Sequence, residues 1–107
     1  MVDLDMLLAA LAHPTRRMAL RLLRQHDELC LCELIRLLAV GQSTMSRHMT
    51  ALKEAGLVTD RRDAQWVRFR LNPLGEAATL RVVQAIMAAE PAKAASRVAA
   101  HDARSAA

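Results

Sequence analysis

The hydrophobic pattern of this sequence changes its period at Gly56. Before that residue, apolar side chains recur every three to four positions, as they do along one face of an α-helix. After it, residues 66–71 (WVRFRL) alternate between two sets of side chains, as in a β-strand with one buried face. A chain of 107 residues is near the usual size of a single domain. We therefore predict one mainly α (α+β) domain, in which helices precede and follow a short β-element.

Three helices are predicted in the first part of the chain. The first is capped by Asp3, and its apolar stripe consists of Leu4, Leu7, Leu8 and Leu11. Pro14 suits the first position of the second helix, because an N–H group would have no partner there. The third helix follows a polar gap at residues 26–29, and its apolar positions are Leu31, Leu34, Ile35 and Leu38.

A fourth helix is predicted from residues 41–56, GQSTMSRHMTALKEAG, with Gly56 as its positive-φ stop. The short turn AVGQ joins it to the third helix, and this spacing is typical of a helix-turn-helix. Its inward-facing residues are Met45, Met49 and Leu52. The remaining surface carries hydroxyl and basic side chains and has no carboxylate before the last turn. The segment alone fits an ordinary amphipathic surface helix equally well, and the residues after it decide between the two interpretations.

Residues 57–62 and 66–71 flank a polar tip and predict a two-stranded β-hairpin with one apolar and one basic face. A basic hairpin directly after such a helix is the arrangement of a winged helix-turn-helix. In that fold the helix suits the major groove of DNA, because hydroxyls and guanidinium groups reach base edges and phosphates. The predicted DNA contacts on the helix are Gln42, Ser43, Thr44, Ser46, Arg47 and His48. Those on the hairpin are Arg61, Arg62, Arg68 and Arg70.

A fifth helix is predicted after the hairpin, with Asn72 as its cap and Pro73 at its first position. Its apolar surface, like that of the first helix, is too wide for one small domain to cover. The two helices are therefore expected to form a homodimer interface, which would present two groove-binding helices to a palindromic operator. The expected interface residues are Leu4, Leu7, Leu8, Leu11, Leu80, Val83 and Met87.

Residues 1–90 are expected to form this DNA-binding and dimerisation domain, with about five helices in total. The Ala-rich segment at 91–107 has no firm apolar stripe and is expected to be a frayed helix or a disordered tail. A formal net charge of +4 adds a mild bias toward polyanionic partners. The sequence begins with acidic residues and lacks a long apolar run, so we expect a cytoplasmic protein with no membrane contact.

Cys30 and Cys32 lie two residues apart at the predicted start of the third helix. The helix dipole favours their thiolate forms there, and thiolates select soft ions. Both sulfurs can turn toward one ion only if Cys30 stands just outside the helix, because residues i and i+2 within a helix point about 200° apart. The alternatives are two buried small hydrophobic residues or a redox pair.

A thiol oxidoreductase is disfavoured, because such enzymes usually carry CxxC in a βαβ setting. No nucleophile–base set, phosphate loop or acid pair indicates any other enzyme.

The motifs CxCEL, SRHMxxLKEAGLV and WVRFRL together resemble the ArsR family of metalloid-responsive repressors, over roughly residues 4–90. The resemblance implies a dimeric winged helix-turn-helix repressor of an arsenic-resistance operon. It implies that trivalent arsenic or antimony binds at the start of the third helix and releases the DNA. Cys30 and Cys32 match the first two thiols of the family's CxCxxC inducer site. A pure dimerisation module without a DNA role is the remaining alternative class.

Ile35 stands where the third thiol of that motif would be. Three hypotheses follow for the inducer. The protein binds arsenite or antimonite through two thiols, with an outside thiol such as glutathione, a partner-chain group or water as the third ligand. It prefers methylarsenite, whose methyl group already fills one position. Or Cys30 and Cys32 form a redox switch. Relatives carry His and carboxylate ligands for zinc or cobalt on the last helix. These ligands are missing here, since residues 73–89 contain no His and only one carboxylate, Glu76.

Overall fold

The computed structural model describes residues 3–90, and the tail expected at 91–107 lies outside the described residues. The helices are α1 (Leu4–Leu11), α2 (Pro14–Gln25), α3 (Leu31–Leu38), α4 (Gln42–Glu54) and α5 (Ala77–Ala89). The strands are β1 (Leu29–Cys30), β2 (Val58–Asp63) and β3 (Trp66–Leu71), and they form an antiparallel sheet in the order β1-β3-β2. The predicted winged helix-turn-helix architecture is confirmed. Within residues 3–90, no helix has the length and apolar character that a membrane span requires.

Helix α4 lies at the centre of the helical part and carries side chains on which α1, α2 and α3 pack. Met45, Met49 and Leu52 have no solvent exposure, as their spacing predicted. They meet residues from α1, α2 and α3 in one continuous core. Gly56 has φ 78° and ends the helix in the left-handed region, which confirms its predicted role. Because this core holds α4 on one side, its other side is left open to solvent.

The turn between α3 and α4 reverses the chain at Ala39, not at the glycine. Ala39 takes the left-handed conformation with φ 54°, whereas Gly41 has φ −60° and is the N-cap of α4. An alanine in that region costs about 1 kcal/mol. Val40, the next residue, is almost completely buried, and its burial helps to offset this cost.

A third strand joins the predicted hairpin. The segment that the sequence presented as a polar gap contains β1, in which Leu29 pairs with Phe69 and Cys30 with Arg68. Leu29 is buried in the core cluster and forms a cross-strand apolar pair with Phe69. Two residues give no readable periodicity, so this strand could be found only from the partner strand that it meets. As a result, the wing is joined to the segment that enters α3.

The last helix begins four residues later than predicted, and Asn72 is not its cap. The Asn72 side chain accepts a hydrogen bond from the Leu74 N–H at 2.9 Å and donates one to the carbonyl oxygen of Gly56 at 3.0 Å. These bonds hold Asn72 in a turn that closes the hairpin against the end of α4. Helix α5 starts after Glu76 instead.

Two arginines of α2 fix the end of α5. Arg17 forms a two-pronged ion pair with Glu90, with N–O distances of 2.7 and 2.9 Å. The hydrogen bond from Arg17, assisted by the charges of Arg17 and Arg21, lowers the pKa of the Glu90 carboxyl. The buried Arg21 guanidinium donates to the carbonyl oxygens of Met87 and Glu90, which need partners because they lie at the end of a helix. Helix α5 is therefore held on α2 in a defined orientation.

Candidate nucleic-acid interface and cysteine site

The outer side of α4 carries most of the side chains that the sequence assigned to DNA. The exposed members are Gln42, Ser43, Ser46 and Arg47, and Thr44 is half-buried. Arg47 Nη2 donates to Thr44 Oγ1 at 3.3 Å, so the two side chains lie together on this surface. Helix α4 therefore presents short hydroxyl side chains and a guanidinium to the outside of the molecule, the groups that can reach base edges and phosphates.

The structure corrects the expectation that His48 faces DNA. His48 is only 7% exposed, and its Nδ1 accepts a hydrogen bond from Arg16 Nε on α2 at 3.0 Å. Its ring also lies 5.4 Å from the ring of His13. Position 48 comes three residues after the buried Met45, and this spacing places it on the inner side of α4. The spacing could have shown this from the sequence, but the basic character of histidine suggested an outer position.

The pairing of β2 with β3 divides the wing arginines between the two faces of the hairpin. Arg61 is opposite Arg68, and Thr59 is opposite Arg70. Residues opposite each other in an antiparallel pair share a face. Arg61, Arg68 and Arg70 therefore lie on one face, which we call the outer face of the wing, and Arg62 lies on the other.

The face of the hairpin that carries Arg62 is the one turned toward α4. Asp60, two residues before Arg62 on the same face, accepts hydrogen bonds from Lys53 at the end of α4, with an N–O distance of 3.0 Å. This ion pair joins α4 to the wing. Arg62 and the exposed surface of α4 are therefore on the same side of the molecule.

Two arginines on the outer face are held by carboxylates of this chain. Arg61 donates to both carboxylate oxygens of Glu28, from Nε at 2.9 Å and from Nη2 at 2.7 Å. Arg68 Nε donates to Asp63 Oδ2 at 2.9 Å. Sequence reasoning missed the role of Glu28, because the contact depends on strand β1, which brings residues 28–30 beside the wing.

Cys30 stands just outside α3, as a shared site for both sulfurs requires. It is the N-cap residue, with an extended backbone, and Cys32 is the second helical residue. The two sulfurs are joined in a disulfide. The Cys30 side chain is buried, whereas Cys32 is exposed to solvent. The pair is therefore reachable from outside at Cys32 and anchored in the protein at Cys30.

A capping box surrounds the Cys30 sulfur. The Glu33 N–H donates to Cys30 Sγ at 3.3 Å, and the Glu33 carboxylate accepts from the Cys30 N–H at 2.9 Å. These reciprocal bonds satisfy two groups at the start of α3 that would otherwise lack partners. The sulfur that the sequence assigned to an inducer is therefore also the cap of the helix that packs on α4.

The described chain supplies no third ligand beside the cysteine pair. Ile35 is half-buried and packs against the core. Residues 3–90 contain no cluster of three or more His, Cys, Asp or Glu side chains that could hold a metal ion. Within residues 3–90 of one chain, no third His, Cys, Asp or Glu side chain completes a site with Cys30 and Cys32.

The expected dimer residues divide into two groups. Leu7, Leu11 and Met87 are buried in the core of a single chain, so their expected place at the dimer interface is corrected. Each lies on the side of α1 or α5 that packs on the other helices. Leu4, Leu8 and Leu80 are exposed, and Val83 is half-buried. Of the seven expected residues, these four leave apolar surface uncovered within one chain.

Comparison with known proteins relates this geometry to bacterial regulators. Residues 13–60 match the family described as "Bacterial regulatory protein, arsR family". The chain is 46% identical over 63 residues to the arsenic resistance transcriptional regulator ArsR1 of Pseudomonas putida, a match that covers 59% of this chain and 49% of that protein. The chain spans about half the length of the arsenic-resistance relatives that it matches.

Two further matches extend over most of both chains. The chain is 36% identical over 86 residues to the biofilm growth-associated repressor of Agrobacterium fabrum, which covers 80% of this chain and 70% of that protein. It also resembles the crystal structure of the transcriptional repressor BigR from Xylella fastidiosa, with a TM-score of 0.62 and 32% identity over 78% of each chain. The relatives named here are regulators and none is an enzyme, in agreement with the prediction.

The capping role of Cys30 makes a prediction about stability. Serine is a favourable N-cap, whereas alanine offers no acceptor. Under reducing conditions we expect Cys30→Ala to lower the free energy of unfolding by about 1 kcal/mol relative to Cys30→Ser. Urea denaturation followed by circular dichroism measures the difference. The matched pair Cys32→Ala and Cys32→Ser should differ little, because Cys32 is exposed and caps nothing. Equal stability of the two Cys30 variants would contradict the capping role.

Proposed function

Because the chain belongs to the arsR family of bacterial regulatory proteins, we propose that it is a DNA-binding repressor of an arsenic-resistance operon. Trivalent arsenic or antimony bound by Cys30 and Cys32 releases it from its operator. The observation that carries this proposal is the position of the cysteine pair at the start of α3, the helix packed on α4. The similarity to an arsenic resistance regulator supports the class of inducer.

The DNA-binding surface in this proposal consists of α4 and the wing. Ser43, Ser46 and Arg47 enter the major groove, where they reach base edges and phosphates. Arg62 contacts the DNA backbone from the same side, and Arg61 and Arg68 add contacts from the outer face. The exposure of these α4 side chains and the ion pair that holds the wing beside α4 support this assignment.

The repressor acts as a homodimer on a palindromic operator. The exposed Leu4 and Leu8 of α1 and Leu80 of α5 supply apolar surface that a second copy would cover. A two-fold dimer places two copies of α4 about 34–36 Å apart, one turn of DNA, which matches the two halves of a palindrome.

Inducer capture acts through the cap of α3. A trivalent arsenic shared by Cys30 and Cys32 fixes the direction of the Cys30 sulfur, which is also the acceptor for the Glu33 N–H. A change at this cap moves the start of α3 relative to α4. Linkage then requires that the DNA-free form bind the inducer more tightly than the DNA-bound form does.

Two chemical forms of the inducer fit a site with two thiols. Arsenite or antimonite completes its shell with an exogenous thiol such as glutathione, for which the exposed Cys32 leaves access. Methylarsenite needs no third sulfur, because its methyl group already occupies one position. The half-buried Ile35 offers no ligand in either case.

A second candidate function is favoured by the disulfide between Cys30 and Cys32. In this alternative the signal is thiol oxidation. The two thiols lose two electrons and two protons to an oxidant such as a peroxide, and the resulting disulfide changes the same helix cap. The operator and the DNA-binding surface are the same as in the first proposal.

The groove assignment predicts that Arg47→Ala weakens operator binding by about ten-fold or more, because the guanidinium reaches a base edge or phosphate. Arg24→Ala is the matched control, since it removes the same charge from an exposed position on α2. Fluorescence anisotropy on labelled DNA from upstream of the protein's own gene measures both. Metalloid binding should be unchanged in Arg47→Ala. Normal operator binding by that variant would show that the groove assignment is wrong.

The sensing proposal predicts that one of arsenite, antimonite and methylarsenite releases the reduced wild-type protein from the same DNA. The release should be lost in Cys30→Ser, which keeps a cap on α3, and in Cys32→Ser. Each metalloid is titrated separately, with and without glutathione. Release by hydrogen peroxide alone would favour the redox alternative. DNA binding that neither the metalloids nor the oxidant disturbs would contradict both proposals.

A further inference from the structure

We infer that the outer face of the wing is a binding site for a backbone phosphate of DNA, which the carboxylate of Glu28 occupies in the free protein. Glu28 and the phosphate would compete for the same guanidinium groups. This inference rests on the proposed DNA-binding function, and it adds to the proposed contacts a residue that limits affinity.

The site is a polar cavity of about 340 Å³ beside the wing. Three arginines line it, Arg61, Arg68 and Arg70, and the strand pairing places all three on one face. Glu28 and Asp60 also belong to its lining, but the strand pairing turns the Asp60 side chain to the other face of the hairpin. Asp60 is already engaged by Lys53 of α4. Asp63 pairs with Arg68, and Glu28 is the carboxylate that pairs with Arg61 on the outer face.

The contact between Glu28 and Arg61 has the geometry of a bound phosphate. Both carboxylate oxygens accept from the guanidinium, at 2.9 and 2.7 Å. The fork of an arginine binds carboxylate and phosphate oxygens in the same two-pronged way. The hydrogen bond from Arg61 lowers the pKa of the Glu28 carboxyl, and the charges of Arg61, Arg68 and Arg70 lower it further. Three guanidinium groups thus act on one anion.

A DNA phosphate can displace this carboxylate at low cost. The Arg61 side chain is more than half exposed, and an exposed ion pair adds little to stability because water and salt screen it. Binding of a phosphate also releases counterions from the DNA, which favours the exchange at low salt. Glu28 therefore lowers the affinity for DNA without preventing binding.

The competing residue lies in the same short segment as the sensor. Glu28 directly precedes β1, and β1 ends at Cys30, which pairs with Arg68 of the wing. A movement of Cys30 is therefore transmitted over two residues of backbone to the carboxylate that holds Arg61.

The test compares Glu28→Gln with Asp27→Asn. The two variants remove the same charge from neighbouring positions, and Asp27 is exposed and does not line the cavity. Operator affinity is measured by anisotropy over a series of salt concentrations. We expect Glu28→Gln to bind up to about five-fold more tightly than Asp27→Asn. The slope of log affinity against log salt should stay similar in the two variants, because the same phosphate is contacted in both complexes, and the gain should appear as a higher affinity at each salt concentration.

A second pair of variants identifies the partner of Glu28. In an Arg61→Ala background, the gain from Glu28→Gln over Asp27→Asn should largely disappear, since the two residues form one interaction. Equal affinities of Glu28→Gln and Asp27→Asn at every salt concentration, with both proteins folded by circular dichroism, would overturn this inference while leaving the repressor proposal intact. Failure of the wild-type protein to bind its operator at low salt would overturn the repressor proposal itself.

Discussion

The reciprocal hydrogen bonds between Cys30 and Glu33 are the interaction on which the rest of the structure depends. They start α3 at the residue where β1 ends, so a single position belongs to both the sheet and the helix. On the helix side, α3 packs on α4, whose outer surface carries the candidate DNA contacts. On the sheet side, β1 pairs with β3 of the wing. Both parts of the candidate DNA interface are therefore connected to one sulfur atom.

This connection gives the proposed mechanism a short physical path. Interfaces between packed helices respond to a change at one end as units, because a close-packed core does not deform continuously. A new bond at the Cys30 sulfur acts where α3 begins, and α3 packs on α4. Glu28 adds an electrostatic route, since the same backbone segment holds the guanidinium of Arg61. The proposed sensor and the proposed DNA surface are thus neighbours within a small domain.

Local spacing predicted much of this fold. Asp3 caps α1, Pro14 opens α2 and Gly56 ends α4, because each of these roles depends only on nearby residues. Cys30 lies just outside α3, which meets the condition that a shared site for both sulfurs sets. Features that depend on distant partners could not be predicted. Strand β1 forms where Leu29 meets Phe69. The Asn72 side chain does not cap a helix, because it forms hydrogen bonds with the backbone of Gly56 and Leu74 instead.

The candidate site shows the same division. The buried stripe that contains Met45 predicts the exposed side chains of α4, whereas the basic character of His48 suggests a surface position and the residue is in fact buried. The apolar face of α1 was recognised, yet sequence alone could not divide it between the core and a dimer interface, since Leu7 and Leu8 differ only in what the fold places over them. The ion pair of Glu28 with Arg61 joins residues that are far apart in sequence, so no local sequence pattern predicts it.

The central claim is that the cysteine site and the DNA surface are energetically coupled. The most direct measurement is the dissociation constant of the reduced protein for its metalloid, determined by calorimetry with and without saturating operator DNA. Coupling requires that the operator weaken metalloid binding by the same factor by which the metalloid weakens operator binding, typically about 5-fold to 150-fold. Equal metalloid affinity in the presence and absence of the operator would contradict the account.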